Sequence, residues 1–161
     1  ALPISVVIEA ENIIIATGSQ AAVLPIPGVE LDGILDSRAA LDLAELPDSM
    51  VIVGGGVIGM EFAFIFRSFV VDVTVIEFLE QLVSGVDADI ASELNRAARR
   101  RRISVKTSAE VKEIKMTEQA YQVIYQEKGK EKSVSAEKVL MAVGRKPYSE
   151  GLKLDNAGVK V

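Results

Sequence analysis

A glycine-rich turn constrains this chain more than any other feature of its sequence. The β-branched run Val51-Ile52-Val53 leads into glycines spaced as G-x-G-x-x-G, namely Gly54, Gly56 and Gly59. In this spacing the first glycine permits a tight turn, the second lets a pyrophosphate approach the backbone, and the third lets a helix pack closely on the strand. The helix N-terminus adds unpaired N–H groups and a partial positive charge. The pattern therefore predicts a dinucleotide-binding strand–turn–helix unit.

The flanking segments strengthen this prediction, because the glycine spacing alone also occurs in turns that bind nothing. Residues 62–66 are apolar on most faces, as expected of a helix held between layers, and residues 72–76 read as a second buried strand. Glu77 follows that strand, about twenty residues beyond the glycines, where a carboxylate that binds ribose hydroxyls is expected.

Composition excludes several classes of function. The 161 residues carry a net charge of −5, which argues against a nucleic-acid partner. No apolar run is long enough to span a bilayer, and no signal-peptide pattern is visible at the start, so no membrane association is predicted. The chain has no cysteine and no histidine, so it offers no thiol nucleophile, imidazole base, disulfide or thiolate metal site. The lack of cysteine fits a cytoplasmic protein.

The remaining segments predict an α/β fold. Two short strands are expected at residues 4–8 and 11–16, and Ser37 is expected to cap a short helix over 38–44. A helix is expected over about residues 87–102. Strands over 103–106 and 139–143 are expected to extend the parallel sheet. Between them, period-two segments at 110–116, 120–127 and 131–135 predict a three-stranded antiparallel meander. The fold class is thus a Rossmann-like parallel sheet with helices flanking the sheet faces and a three-stranded meander, and the ligand is expected over the carboxyl ends of the strands.

Four consecutive arginines at positions 99–102 allow two interpretations. They could bind phosphate, or they could form a solvated helix end that complements the macrodipole. We favour the second, because the 2′-phosphate of NADP would be read just after the second strand, where the chain has Phe78, Leu79 and Glu80.

Several stretches together resemble the NAD-binding domain of dihydrolipoamide dehydrogenase, in the family of FAD-dependent pyridine nucleotide–disulfide oxidoreductases. The resemblance rests on residues 13–19 (IIIATGS), 54–61, 73–77 (VTVIE) and 138–147 (KVLMAVGRKP), and it covers nearly the whole chain. It implies that the glycine turn cradles the NAD pyrophosphate and that Glu77 binds the adenosine ribose and disfavours a 2′-phosphate. It also implies that Glu61 lies near the nicotinamide, that Val111 contacts the adenine and that Gly144 approaches the nicotinamide half. A buried, ion-paired Glu61 is the alternative. The implied cofactor-binding residues are Gly54, Gly55, Gly56, Val57, Ile58, Gly59, Met60, Glu61, Glu77, Val111 and Gly144.

The resemblance also implies parts that this sequence does not contain. Family members carry an FAD domain with a redox-active cysteine pair and an interface domain with a histidine–glutamate dyad, and they use FAD, lipoamide and a homodimer mate. We therefore expect a fragment that is not catalytically competent alone, with no catalytic residue in this chain. Its expected parts are a remnant of the FAD-domain edge (1–20), a connector with a short helix (21–48), the NAD-binding domain (49–147) and a tail (148–161).

Two positions depart from the family pattern. Val70 and Arg102 stand where the family often places a glycine after a helix, so these helix ends are expected to be strained or remodelled.

Two other functions compete with NAD binding in a flavoprotein. A free-standing NADH-sensing module without catalysis is one alternative function. A methyltransferase that uses S-adenosylmethionine is another, although the meander and the strand within residues 138–147 argue against it.

Overall fold

The computed structural model describes residues 6–160, which form an α/β fold. In chain order the strands are β1 (Ser19–Ala21), β2 (Ile34–Leu35), β3 (Ser49–Val53), β4 (Asp72–Ile76), β5 (Ser104–Lys106), β6 (Ala109–Met116), β7 (Tyr121–Glu127), β8 (Lys130–Ala136), β9 (Lys138–Met141) and β10 (Arg145–Pro147). The helices are α1 (Ser37–Leu41), α2 (Val57–Ser68) and α3 (Ala88–Arg100), and a 3₁₀ turn covers Leu154–Ala157. None of the helices within the described range is long and apolar enough to cross a membrane.

The larger of two compact units covers residues 21–145 and is built on a five-stranded parallel sheet. Its strand order is β2-β9-β3-β4-β5, so β3 and β4 are central and adjacent. Val53 is in register with Ile76 on one side and with Met141 on the other. Three strands therefore end at one level, which confirms the predicted parallel sheet and creates a common carboxyl edge.

The two faces of the sheet are covered by different layers. Successive residues of a strand point to opposite faces, so Met50 and Ile52 pack in the cluster that contains the helices. Val51 and Val53 pack instead against the antiparallel sheet β6-β7-β8. The expectation of helices on the sheet faces is thus correct for one face and wrong for the other. The meander covers that second face because its period-two pattern provides an apolar side of its own, with Val111, Ile114, Tyr121, Val123, Tyr125 and Ala136 facing inward.

Both long helices end in a left-handed residue that is not glycine. After α2, the N–H of Val70 donates to Arg67 O and that of Val71 to Phe66 O, at 3.1 and 3.2 Å. This pair of bonds is the Schellman motif, and Val70 occupies its left-handed position with φ +69°. The end of α3 repeats the arrangement with Arg102 at φ +60°. The predicted strain at both positions is therefore present in the backbone.

Three local predictions in the first forty residues differ from the structure. Residues 11–16 form no strand, since nothing among the described residues pairs with them, and their apolar side chains are exposed. Part of the strand predicted at 4–8 lies outside the described residues, and residues 6–8 are not in a strand. Helix α1 is capped by Asp36 rather than Ser37, and its carboxylate accepts hydrogen bonds from the N–H groups of Arg38 and Ala39.

The smaller unit comprises the described residues up to Gln20 and those from Lys146 onward. Strands β1 and β10 pair as a two-stranded sheet. The N–H of Tyr148 donates to Gly18 O at 2.9 Å, and the Thr17 hydroxyl donates to Tyr148 O at 2.5 Å.

Candidate functional site

A groove of about 870 Å³ lies over the carboxyl ends of β3, β4 and β9. Its floor includes Val53, Ile76 and Ala142, the residues at or just beyond the ends of these strands. The glycine turn, the loop after β4 and the start of β6 form its sides. This is the position at which open parallel sheets bind their ligands.

Two of the motif glycines are required by the fold itself. Gly54 has φ +107°, and a Cβ there would lie 2.4 Å from Ala142 O. A Cβ at Gly59 would lie 2.0 Å from Gly54 O, so α2 can approach β3 only because this residue has no side chain. These glycines hold the turn at the mouth of the groove.

Gly56 differs from the other two, because a Cβ at this position would meet no atom within 4 Å. The residue is the N-cap of α2, has extended backbone, and makes no side-chain capping hydrogen bond. It also lines the groove. The space beside Gly56 is therefore open to an anion at a helix N-terminus, where N–H groups and the macrodipole favour negative charge.

The carboxylate of Glu77 faces the glycine turn. Its side chain is buried, Oε2 accepts a hydrogen bond from the Gly55 N–H at 2.5 Å, and Oε1 accepts one from the Leu79 N–H at 2.7 Å. A carboxylate can accept about four hydrogen bonds. Since Glu77 also lines the groove, it can accept further bonds from ligand hydroxyls without releasing the turn.

The groove has walls that the sequence patterns did not reveal. One is the connector Leu24-Pro25-Ile26, and others come from Phe78, Ala109 and Arg145. The connector is fixed at both ends, since the Ala22 N–H donates to Gly144 O and the Ile114 N–H donates to Pro27 O, each at 2.9 Å. The only signal for this wall in the sequence is its proline-rich, extended character, which does not indicate what it contacts.

The predicted site residues fall into three groups. Those that line the groove are Gly54, Gly56, Val57, Ile58, Glu77, Val111 and Gly144. Gly55, Gly59 and Met60 are buried in or behind the turn. Glu61 is exposed and lines a separate apolar hollow of about 720 Å³ between α2 and α3, so the alternative of a buried glutamate is wrong.

Arginines 99–102 lie at the C-terminal end of α3, are exposed, and do not line the groove. The Arg99 guanidinium donates to the Asn95 side chain, and Arg101 lies over the Phe64 ring at 5.6 Å. Their surroundings agree with the interpretation as a solvated helix end.

A parallel sheet whose carboxyl edge carries a glycine turn, an open helix N-terminus and a buried carboxylate defines a Rossmann-like, nucleotide-binding fold. The profile of the pyridine nucleotide-disulphide oxidoreductases matches residues 5–161, and the chain belongs to that family.

Named relatives within the family are dehydrogenases and reductases. Dihydrolipoyl dehydrogenase 3 of Pseudomonas aeruginosa is 40% identical over 156 residues, covering 94% of this chain and 33% of that protein. The mitochondrial dihydrolipoyl dehydrogenase of Schizosaccharomyces pombe is 38% identical over 158 residues, covering 96% of this chain and 30% of that protein. The structure is similar to that of the HOCl-induced flavoprotein disulfide reductase RclA from Escherichia coli, with a TM-score of 0.81 and 35% identity over 91% of this chain and 33% of RclA. The chain thus spans about a third of the length of these proteins.

Proposed function

We propose that the groove binds NAD(H) and that this chain is the NAD-binding part of a dihydrolipoamide dehydrogenase-like flavoprotein. One observation carries the proposal: the Glu77 carboxylate is fixed at 2.5 Å from the Gly55 N–H, beside the open helix N-terminus at Gly56. A carboxylate next to an anion-binding helix end matches a dinucleotide, whose ribose hydroxyls adjoin its pyrophosphate.

The open space at Gly56 supports a pyrophosphate position. A ligand phosphate there would receive hydrogen bonds from backbone N–H groups at the start of α2. The exposed Val57 and half-buried Ile58 follow directly and line the same groove, so the phosphate would sit against the first turn of the helix.

The residues after β4 favour NAD over NADP. A 2′-phosphate would lie near the Glu77 carboxylate, and the next residues, Phe78, Leu79 and Glu80, provide no cation to bind it. Like charges at close range disfavour the wrong ligand, so this end of the groove selects a free ribose hydroxyl.

Two parts of the groove lining suit the two bases. Val111 is buried near the start of the meander and shares an apolar cluster with Leu24 of the connector, which suits the flat adenine. Gly144 lines the groove after β9, where the backbone can approach the nicotinamide half. When bound, NAD(H) would supply hydride chemistry, and the role of this chain would be to hold the nicotinamide against FAD. FAD, lipoamide and the homodimer mate would be bound by other parts of the parent enzyme.

Calorimetric titration of the 161-residue chain with NADH, NADPH and S-adenosylmethionine tests the proposal. We expect NADH to bind at least tenfold more tightly than NADPH, and S-adenosylmethionine not to bind. Binding of S-adenosylmethionine without NADH would overturn the assignment, as would no binding of either nicotinamide cofactor.

A further inference from the structure

The loop between β4 and α3 folds back over the glycine turn. Leu82 within this loop is fully buried, and a Cβ built at Gly55 would lie 2.5 Å from Leu82 Cδ2. The next residue, Val83, donates its N–H to the carbonyl of Gly55 at 2.9 Å. The loop therefore contacts the turn through both a side chain and the backbone.

Val83 makes this hydrogen bond from a backbone conformation that valine rarely adopts. Its φ is +47°, in the left-handed region where a β-branched side chain is strained. Such strain persists only where the surroundings determine the conformation. Here the half-buried Val83 side chain packs against the helix-side core and lines the hollow between α2 and α3. Packing of the side chain thus holds the N–H in position.

The hydrogen bond from Val83 determines the direction of a second group. The carbonyl of Gly55 and the N–H of Gly56 belong to one planar trans peptide and point in opposite directions. Fixing the carbonyl toward Val83 therefore points the Gly56 N–H away from the loop. On the other side of Gly55, its own N–H is fixed by Glu77, so the turn is held at two consecutive peptide groups.

We infer that Val83 is a positioning residue for the pyrophosphate site, which orients the Gly56 N–H before the cofactor binds. This inference rests on the proposed function, because it assigns the Gly56 N–H to a phosphate. Val83 does not itself line the groove, and its effect passes through the Gly55–Gly56 peptide. The inference predicts a selective loss: ligands with a pyrophosphate should be affected and ligands without one should not.

The test compares NADH with adenosine, which lacks the pyrophosphate, by NMR titration of the 161-residue chain and its variants. Val83→Pro removes the N–H and cannot adopt a positive φ. We expect it to weaken NADH binding about tenfold, the equivalent of one lost hydrogen bond, and to leave adenosine binding within twofold. Val83→Gly keeps the N–H and accepts the left-handed conformation but loses the packing of the side chain, so it should recover part of the affinity that Val83→Pro loses. Gly85→Ala is the matched loop control, because its Cβ would meet no atom within 4 Å.

Equal losses for NADH and adenosine would show a general structural role and overturn the inference, as would unchanged NADH binding by Val83→Pro. If the proline variant does not fold, hydrogen exchange in the unaltered chain decides. The Val83 amide should be protected before NADH is added, and rapid exchange without NADH would contradict preorganisation. If the wild-type chain binds no NADH, both the proposed function and the role of Val83 are overturned. If the wild-type chain and Val83→Pro bind NADH equally well, only the role of Val83 is overturned.

Discussion

The carboxylate of Glu77 accepts a hydrogen bond from the N–H of Gly55, a residue 22 positions earlier in the chain. This bond joins the loop after β4 to the turn after β3, and its partner bond from the Leu79 N–H closes the loop on the same side chain. The proposed ribose-binding group is thus also a structural element of the proposed phosphate-binding turn. Effects of substitution at Glu77 should therefore appear in both stability and ligand selectivity.

Glu77→Ala should lower the free energy of unfolding by about 2 kcal/mol, because it leaves two backbone N–H groups without their acceptor. It should also weaken NADH more than NADPH, since the proposed bonds to the ribose and the repulsion of the 2′-phosphate disappear together. Urea denaturation and calorimetric titration measure the two effects. Glu118→Ala, at an exposed position in the turn between β6 and β7 and away from the groove, is the control and should change neither. Equal losses of NADH and NADPH affinity would remove the proposed role of Glu77 in selectivity.

Alanine substitutions at two motif glycines should separate folding from binding. Gly56→Ala adds a methyl group in open space at the N-cap of α2, so stability should fall by less than about 1 kcal/mol. NADH affinity should fall at least tenfold, because the methyl would occupy the proposed phosphate position. Gly59→Ala would place a Cβ 2.0 Å from a backbone oxygen and should destabilise the chain severely. Thermal denaturation and NADH titration distinguish the two variants. Wild-type affinity in Gly56→Ala would contradict a phosphate at this position.

Glycine at either left-handed helix end should stabilise the protein. Val70→Gly and Arg102→Gly each remove a conformational cost of about 1–2 kcal/mol, partly offset by the greater flexibility of glycine in the unfolded chain. We expect a net gain of about 1 kcal/mol for each, measured by chemical denaturation. Arg100→Gly is the matched control, because Arg100 is the last residue of α3 and glycine within a helix should cost about 1 kcal/mol. A loss of stability in both Val70→Gly and Arg102→Gly would show that these side chains contribute more than their strain.

Tyr125 should give the protein an alkaline dependence of stability. Burial raises the pKa of its phenol above the ordinary value, and the nearby negative charge of Glu127 raises it further. Because the folded state disfavours the phenolate, this contribution to stability is complete below pH about 10, the ordinary pKa, and is lost as pH rises from there through the raised value. Phenolate absorbance during alkaline titration of the wild-type chain and of Tyr125→Phe isolates the ionisation of Tyr125, and its midpoint should lie above the ordinary value. Glu127→Gln should lower the pKa of Tyr125, and an unchanged midpoint would exclude the electrostatic contribution.

The central unit of the fold could be predicted because each element carries its own local signal. The strand predicted at residues 72–76 has the bounds of β4, and the meander strands begin and end within one residue of the predicted bounds. The glycine spacing already indicates that the turn leaves no room for side chains at certain positions, and the structure shows this directly at Gly54 and Gly59. The assignments of individual residues to NAD stay predictions, although seven of those residues line one groove.

The features that were missed depend either on contacts between distant segments or on a local difference of one residue. The apolar run at residues 11–16 has a strand composition, but a strand also needs a partner, and composition does not show whether one exists. The cap at Asp36 rather than Ser37 depends on a one-residue difference in where α1 begins, which local patterns rarely resolve. The bond from Val83 to Gly55 had no signal, because valine in a loop does not indicate a left-handed backbone.

The groove is assembled from segments that lie far apart in the chain, from Leu24 in the connector to Arg145 after β9. Contacts between such distant residues form slowly, since the loops between them must close first. The floor, the glycine turn and the connector wall are all in place only when β3, β4, β9 and the connector have taken their folded positions. A nucleotide that needs all three would recognise the finished fold alone, and at saturating concentration it would draw the population of partly folded chains toward that state.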